Sequence, residues 1–271
     1  MKCSRCQTNM HKNGTRDGLQ RFKCGSCGYE KQERKKPLSS TKMSSVITEK
    51  GNVLIISDLH LPFEHRNALS FVCRVRDKYK CDVVIGIGDF FDMHALSYHE
   101  HDPDGLSIGY ELDEAADKAQ MWANEFPEMY QIDGNHSSLP FRKAKSHGFS
   151  KRLMRTYNEI FDLPDTWYWS EWYEKDGVRY QHGSGKSGKY MHLNWAIDNM
   201  QSTVTGHGHS NAGVDYKATN KQLVYGMGVG CLIDRHSYSM EYGKNFGNKP
   251  ILACGVVLDD GKLPILETME F

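Results

Sequence analysis

The 271-residue chain has no run of about eighteen consecutive apolar residues, and its mean hydropathy is −0.62, which excludes a membrane-spanning helix. Behind Met1, Lys2 and Cys3 there is no apolar stretch of the kind a secretory signal needs, so the cytoplasm is the expected compartment. Internal repeats of solenoid length are missing as well. Gly183-Ser184-Gly185-Lys186-Ser187 hints at a nucleotide-binding loop, but that motif needs a glycine where Tyr180 stands, and the segment reads instead as a loop beyond His182. Net charge is absent too: 34 Lys and Arg balance 34 Asp and Glu.

That balance hides an asymmetry. Residues 1–36 hold ten basic residues against Asp17, Glu30 and Glu33, a formal +7, which leaves −7 on the remainder. A short basic head on an acidic body suggests an appendage that binds polyanions. The eight cysteines divide in the same way. Cys73, Cys81, Cys231 and Cys254 stand singly among apolar neighbours, as small core residues do, while Cys3, Cys6, Cys24 and Cys27 cluster. Cys3-x-x-Cys6, seventeen residues and Cys24-x-x-Cys27 match the spacing of a four-cysteine zinc site. Each Cys-x-x-Cys forms a tight knuckle presenting two thiolates to a tetrahedral ion. So short a segment cannot bury enough core to fold alone, and metal binding supplies the missing free energy.

Three regions follow: a zinc ribbon at 1–36, a polar aperiodic linker at 37–50, and a large domain at 51–271. The stretch from His11 to Cys24 resembles the zinc ribbons that head insertion-sequence transposases, which implies contact with DNA or RNA. The basic residues of the loop between the knuckles, Lys12, Arg16, Arg21 and Lys23, are the candidate contacts, with Phe22 among them and Arg34, Lys35 and Lys36 trailing. Protein docking, or a purely structural role, is the alternative for this head.

In the large domain, Val53-Leu54-Ile55-Ile56 and Val83-Val84-Ile85-Gly86-Ile87 are short β-branched runs that predict buried strands. Helices are expected near 65–80 and 111–125, and a third strand at Met129-Tyr130-Gln131-Ile132. Short strands are expected near 177–182, 201–205, 212–218, 221–227, 251–258 and 263–268. The alternation predicts an α/β sheet covered by helices. Trp167, Trp169 and Trp172 form an aromatic run suited to a core or an edge strand, with base stacking as the rival role.

Each candidate polar cluster follows an apolar strand: Asp58-Leu59-His60, then Gly88-Asp89-Phe90-Phe91-Asp92, Gly134-Asn135-His136, His182, and Gly206-His207-Gly208-His209. In open α/β sheets ligands gather at the carboxyl ends of strands, so five segments can converge on one crevice. Asp, His and Asn suit Mn²⁺, Fe or Zn²⁺. The Asp-x-His and His-x-His spacings would set alternate side chains on one side of an extended turn.

Taken in order, these five motifs resemble those of the calcineurin-like metallophosphoesterases over about residues 51–271, and most of all the small members found in bacteriophage and bacterial genomes. The resemblance implies a four-layer β-sandwich flanked by helices. It implies that Asp58, His60 and His209 hold one metal, that Asn135, His182 and His207 hold a second, and that Asp89 bridges them. Mn²⁺ is the first expectation, with Fe or Zn²⁺ as alternatives. His136 would contact the scissile phosphate and protonate the leaving oxygen, with Asp92 orienting its ring and water activated by the cations as nucleophile. The chain departs from the pattern twice. Ser137 stands where many relatives have Asp or Glu, and Met93 stands where phosphoprotein phosphatases have Arg. His94, His99 and His101 are candidates to replace that phosphate contact, or are solvated loop histidines.

The expected activity is therefore dimetal-dependent hydrolysis of phosphodiester bonds in DNA or RNA, with the ribbon holding the polymer. The alternatives are a phosphomonoesterase or cyclic-nucleotide phosphodiesterase whose ribbon docks a protein, and a metal-stabilised scaffold without activity.

Overall fold

The structure, a computed structural model, describes residues 2–3, 5–16, 19–32, 45–98, 105–237 and 247–269. It separates into two compact units, Met1–Met43 and Ser44–Phe271. Arg34, Lys35, Lys36, His99 and His101 lie outside the described residues.

The small unit is a three-stranded antiparallel sheet of β1 (Met10–Arg16), β2 (Leu19–Cys24) and β3 (Glu30–Gln32), in that order. The segment between the knuckles is thus a strand pair rather than a loop, with an irregularity between Lys12 and Thr15. Among the described residues its apolar cluster is Cys3, Met10 and Cys24, against which Cys6, Phe22 and Tyr29 pack. Phe22 therefore serves the cysteine cluster.

The described residues of the large unit form two sheets. The first contains β4 (Asn52–Ile56), β5 (Cys81–Gly86), β6 (Met129–Ile132), β7 (Trp167–Ser170), β13 (Ala253–Leu258) and β14 (Leu263–Thr268), in the order β14-β13-β4-β5-β6-β7. Strands β4 to β7 run parallel, and β13 and β14 add an antiparallel hairpin at one edge. The second contains β8 (Trp172–Lys175), β9 (Val178–Gln181), β10 (Ser202–Thr205), β11 (Ala212–Ala218) and β12 (Leu223–Val229), in the order β11-β12-β10-β9-β8. Its three inner strands are parallel.

Strand periodicity builds the layers. Val53 and Ile55 of β4, with Val83 and Ile85 of β5, face a core shared with Val178, Tyr180, Val204, Tyr225 and Met227 of the other sheet. Leu54, Ile56 and Val84 face the opposite way, toward helices. There α1 (Ala68–Tyr79) buries Ala68, Phe71, Val72 and Val75, and α2 (Ile108–Glu125) buries Ala115, Ala119, Trp122 and Ala123. Both sets recur at the spacing of one helical face. Two shorter helices, α3 (Leu139–Ser146) and α4 (Tyr157–Phe161), follow β6. On the far side, α5 (Met191–Asn199) packs on β10, β11 and β12. The order helix, sheet, sheet, helix is the four-layer sandwich the sequence resemblance implies.

Differences from the sequence reading are local. Ser45 and Ile47, placed in the linker by their polar surroundings, exchange backbone hydrogen bonds with Glu174 of β8 (2.7 and 2.8 Å), and Ile47 is buried. A single apolar residue in a polar run gives no periodic signal. The tryptophans lie in β7 and β8, strands that sequence alone leaves out. Trp167 is buried and donates to the Phe126 carbonyl (2.8 Å), Trp169 donates to Asn158 Oδ1 (2.7 Å), and Trp172 lies beneath the Arg179 guanidinium.

Candidate metal centre

All five polar segments leave the carboxyl ends of parallel strands: Asp58 after β4, Asp89 after β5, Asn135 after β6, His182 after β9 and His207 after β10. Because both sheets present that end together, residues 149 positions apart meet: the His207 backbone N–H donates to Asp58 Oδ2 at 2.9 Å. The turn geometry is not the extended one expected from the spacing. Asp58, His60, Asp89 and His207 all have left-handed backbone, with φ of 49°, 53°, 46° and 64°. That conformation costs a non-glycine residue about 1–2 kcal/mol, a cost characteristic of functional turns whose surroundings over-determine them. Two glycines allow the segments to close on one another. A Cβ at Gly134 would lie 2.0 Å from Asp89 Oδ1, and one at Gly88 (φ +105°) 2.2 Å from His182 Nδ1.

One cluster is Asp58, His60 and His209, the first two buried. His209 Nε2 lies 3.1 Å from both Asp58 Oδ1 and His60 Nε2. The second is Asp89, His182 and His207, joined by Asn135. His182 Nε2 lies 3.0 Å from Asp89 Oδ2 and 2.9 Å from Asn135 Oδ1. The two clusters feel one another's charge: Asp89 acts on His60, and Asp58 on His182.

The hydrogen bonds at the outer ring nitrogens decide what these clusters suit. His182 Nδ1 faces the Ile87 carbonyl at 3.0 Å, which takes only a donated N–H, so a neutral ring turns the lone pair of Nε2 on two oxygen acceptors. His60 is fixed likewise. Its Nδ1 lies 2.7 Å from Asp92 Oδ1, so Nε2 faces His209 and, at 3.7 Å, Asp58 Oδ1. Acceptors converging in this way favour a cation among them, a shared proton or a metal ion. Titration carries the same sign. Burial opposes charge on His60, yet Asp92 and Asp58 outweigh it and push the ring up to about 10. His182 is pushed up to about 9 against burial by Asp89. The donor set fits a pair of divalent metals, with hard oxygens and borderline nitrogens in each cluster.

The second oxygen of each carboxylate is occupied by the protein. Asp58 Oδ2 accepts from Ser57 Oγ and His207 N, which leaves Oδ1 for its cluster. Asp89 Oδ1 accepts from the backbone N–H groups of His136 (2.7 Å) and Ser137 (3.3 Å), which leaves Oδ2. Such outer contacts orient metal-binding side chains.

Asp92 and His136 complete the site. Asp92 Oδ1 lies 2.8 Å from His136 Nδ1 as well as facing His60, so one buried carboxylate stands beside both rings. The His136 and His60 rings sit edge to face, 4.7 Å between centroids. His94 is largely enclosed, 3.9 Å from Asp92 Oδ2, rather than solvated.

Sequence reasoning missed the residues behind this layer. Ser137, the departure from the family pattern, is fully buried. Its hydroxyl donates to the Phe91 carbonyl (3.1 Å) and accepts from the Phe91 N–H (3.2 Å), which ties the Asn135 and Asp89 turns together. Glu111 of α2 accepts the His94 and Ala95 N–H groups (2.6 and 2.8 Å) and holds the turn after Asp92. Burial, opposed by those N–H bonds, pushes its carboxyl up to about 7. Neither role has a sequence signal, because the partners are backbone groups of distant turns.

In the small unit the four cysteines are unbridged by disulfides and close together. Cys3 and Cys27 Sγ are 3.6 Å apart, Cys6 and Cys24 3.4 Å, and Cys6 and Cys27 3.5 Å. Tetrahedral Zn–S bonds of about 2.3 Å require edges of about 3.8 Å, so the cluster suits one such ion. The Thr8 hydroxyl, unnoticed in the sequence, lies 2.9 Å from Cys6 Sγ and 3.1 Å from Cys24 Sγ, and its hydrogen bond brings the Cys24 thiol down to about 6. Cys24→Ser is expected to release the metal and unfold this unit alone, since structural zinc supplies about 10–16 kcal/mol of apparent folding free energy. Amide exchange of residues 5–32 against those of the large unit checks it, and full protection in the variant would contradict it.

The candidate nucleic-acid contacts are unequal. Lys12 is exposed, whereas Arg21 pairs with Glu30 and Lys23 Nζ lies 3.4 Å from Glu30 Oε1. The Arg16 side chain lies outside the described residues. Glu30 comes beside Arg21 and Lys23 only when β3 pairs with β2.

Among solved structures, the chain resembles Vacuolar Protein Sorting 29 from Cryptosporidium parvum, at 16% identity and a TM-score of 0.38, over 82% of this chain and 97% of that one. It resembles Yfce, a phosphoesterase from E. coli, at 12% identity and a TM-score of 0.38, over 77% and 88%. It also resembles the nuclease MPE of Pseudomonas putida, at 11% identity and a TM-score of 0.32, over 80% and 87%. No protein-family model matches the chain, and no curated protein matches it. No helix among the described residues is long and apolar enough to cross a membrane.

Proposed function

We propose that the large unit is a two-metal phosphodiesterase acting on nucleic acid, and that the cysteine ribbon helps to hold the polymer. The observation that carries this reading is the pair of adjacent Asp/His clusters, with His136 beside Asp92, the buried carboxylate that also faces His60. The motif order, which resembles that of the calcineurin-like metallophosphoesterases, supports it.

In this reading Asp58, His60 and His209 hold one cation, Asn135, His182 and His207 hold the other, and Asp89 serves both. Bound there, two divalent cations supply Lewis acidity to the phosphoryl oxygens and lower the pKa of water. The protein's own groups do the rest. His136, with Nδ1 against Asp92, keeps Nε2 as the nitrogen that contacts the phosphate and passes a proton to the departing oxygen. Asp92, 2.8 Å from His136 Nδ1, sets the orientation of that ring and links it to His60. Ser137 keeps the two turns in register.

The test is hydrolysis by the purified, Mn²⁺-supplied protein of single- and double-stranded DNA, RNA, a small phosphodiester and a phosphomonoester. Cleavage of polynucleotide in preference to phosphomonoesters is expected, and turnover of phosphomonoesters alone would overturn the reading. For the ribbon, a chain beginning at Met43 is expected to hydrolyse the small phosphodiester normally while binding polynucleotide more weakly. Its log–log salt dependence should flatten by about 0.7–0.9 for each phosphate that the ribbon had neutralised. Unchanged affinity and slope would assign the ribbon to protein docking instead.

A further inference from the structure

Between Asp133 and Glu159 the chain has no acidic residue at all, yet it carries Arg142, Lys143, Lys145, Lys151, Arg152 and Arg155. The rest of the large unit is acidic, and its cations are commonly paired, as Arg76 is with Asp77, Lys78 with Glu267, Lys118 with Glu64 and Lys186 with Asp198. None of these six has a carboxylate at ion-pair distance among the described residues. Their contacts are to carbonyls and rings: Arg142 to the Asn135 carbonyl (3.1 Å), Lys143 to that of Ser97 (3.3 Å), Arg142 and Lys143 over Tyr98, and Lys151 over Phe141.

This segment is built onto the metal centre. It leaves the Asn135–His136 turn directly through Ser137, and at its far end the Tyr157 hydroxyl returns to that turn, donating to Asp133 Oδ1 (2.7 Å) and the Ser137 carbonyl (2.8 Å). Both ends of the excursion are therefore fixed within a few residues of His136. The dipole of α3 accounts for Lys143 and Lys145 in its last turn, but not for Lys151, Arg152 and Arg155 beyond it. Exposed apolar side chains alternate with the charges, Phe149 at 59% and Leu153 at 77% exposure, and Tyr98 at 60% lies under two of them. Unpaired cations beside two exposed rings, Phe149 and Tyr98, are the chemistry that follows a nucleic-acid backbone, with bases resting on the rings. An eight-residue helix is about 12 Å long, which spans about three to four phosphates at 3.4 Å each along one strand.

We propose that residues 142–155 form a polyanion track beside the metal centre, which holds the flanking phosphates of a polynucleotide whose scissile phosphate lies at His136. This deepens the phosphodiesterase reading and rests on it for the position of the scissile bond. The track itself is a binding surface and is tested as one.

The experiment compares the full chain with a variant carrying Lys145→Gln, Lys151→Gln, Arg152→Gln and Arg155→Gln, the four exposed cations that do not touch the ligand turn. Both carry His136→Ala so that the probe survives. Anisotropy of a short fluorescein-labelled single-stranded oligodeoxynucleotide is followed across a KCl series. The variant is expected to bind at least about tenfold more weakly, with a slope of log affinity against log salt shallower by about 0.7 for each phosphate no longer neutralised. In the otherwise natural chain the same four changes should leave hydrolysis of a small phosphodiester within about twofold, which also shows that the fold is intact. Equal affinity and slope in the two proteins, or no binding by either, would overturn the track. Failure of the natural chain to hydrolyse any phosphodiester, with the binding difference present, would overturn the phosphodiesterase reading and leave the track standing.

Discussion

Asp89→Asn is expected to reduce hydrolysis to background while leaving the ribbon's metal in place. The substitution keeps the shape of the side chain, so the backbone N–H groups of His136 and Ser137 can still find an oxygen acceptor. What it removes is a negative charge and a set of lone pairs facing His182, in a site where the carboxylate is fully buried. An amide nitrogen turned toward that cluster would present a donor where a cation is to sit. Losing even one cation forfeits several kcal/mol of transition-state stabilisation, which at 1.36 kcal/mol per tenfold is a fall of about 10³ or more. Elemental analysis is the independent readout. Two metals retained at full occupancy in the large unit would contradict the bridging role.

His136→Ala is expected to separate binding from chemistry. Its side chain is 28% exposed, unlike the enclosed rings of His60 and His182, as a group that meets substrate must be. Both metals should stay bound, because the ring belongs to neither of the proposed four-residue ligand sets. Turnover of a polynucleotide should fall by about 10²–10⁴, the usual worth of a positioned general acid. The loss should shrink for an activated aryl phosphodiester, whose leaving group departs without a proton. Equal losses on the two substrates would remove His136 from the role of proton donor, and loss of metal would make it a ligand.

Much of the candidate site was legible because its chemistry is local in sequence. A ligand turn consists of an apolar strand, a glycine and a donor, and Gly88-Asp89 or Gly206-His207 shows all three within a few residues. The strands themselves were legible where β-branched runs met turn residues, as at Val53–Ile56. Legibility failed where the signal is spread over the fold. Trp167 and Trp169 suited a core or an edge strand better than a stacking surface, but which strand they form is decided only by the β6–β7 pairing, which places them beside Met129 and Gln131. The Asp-x-His spacing suggested an extended turn, whereas Asp58 and His60 have left-handed backbone.

The sequence by itself determined the inventory: which residues can bind cations, the four cysteines able to take zinc, the acid-free basic run at 134–158, and the strand ends on which the ligands stand. The tertiary structure alone decided who faces whom. Asp92 meets both His60 and His136 across 32 and 44 positions, Ser137 locks a turn 46 positions away, and the Ile87 carbonyl takes one ring nitrogen of His182. The physical reason is that hydrogen-bond direction belongs to pairs of groups, and those pairs form only when two sheets bring the carboxyl ends of their parallel strands to one place.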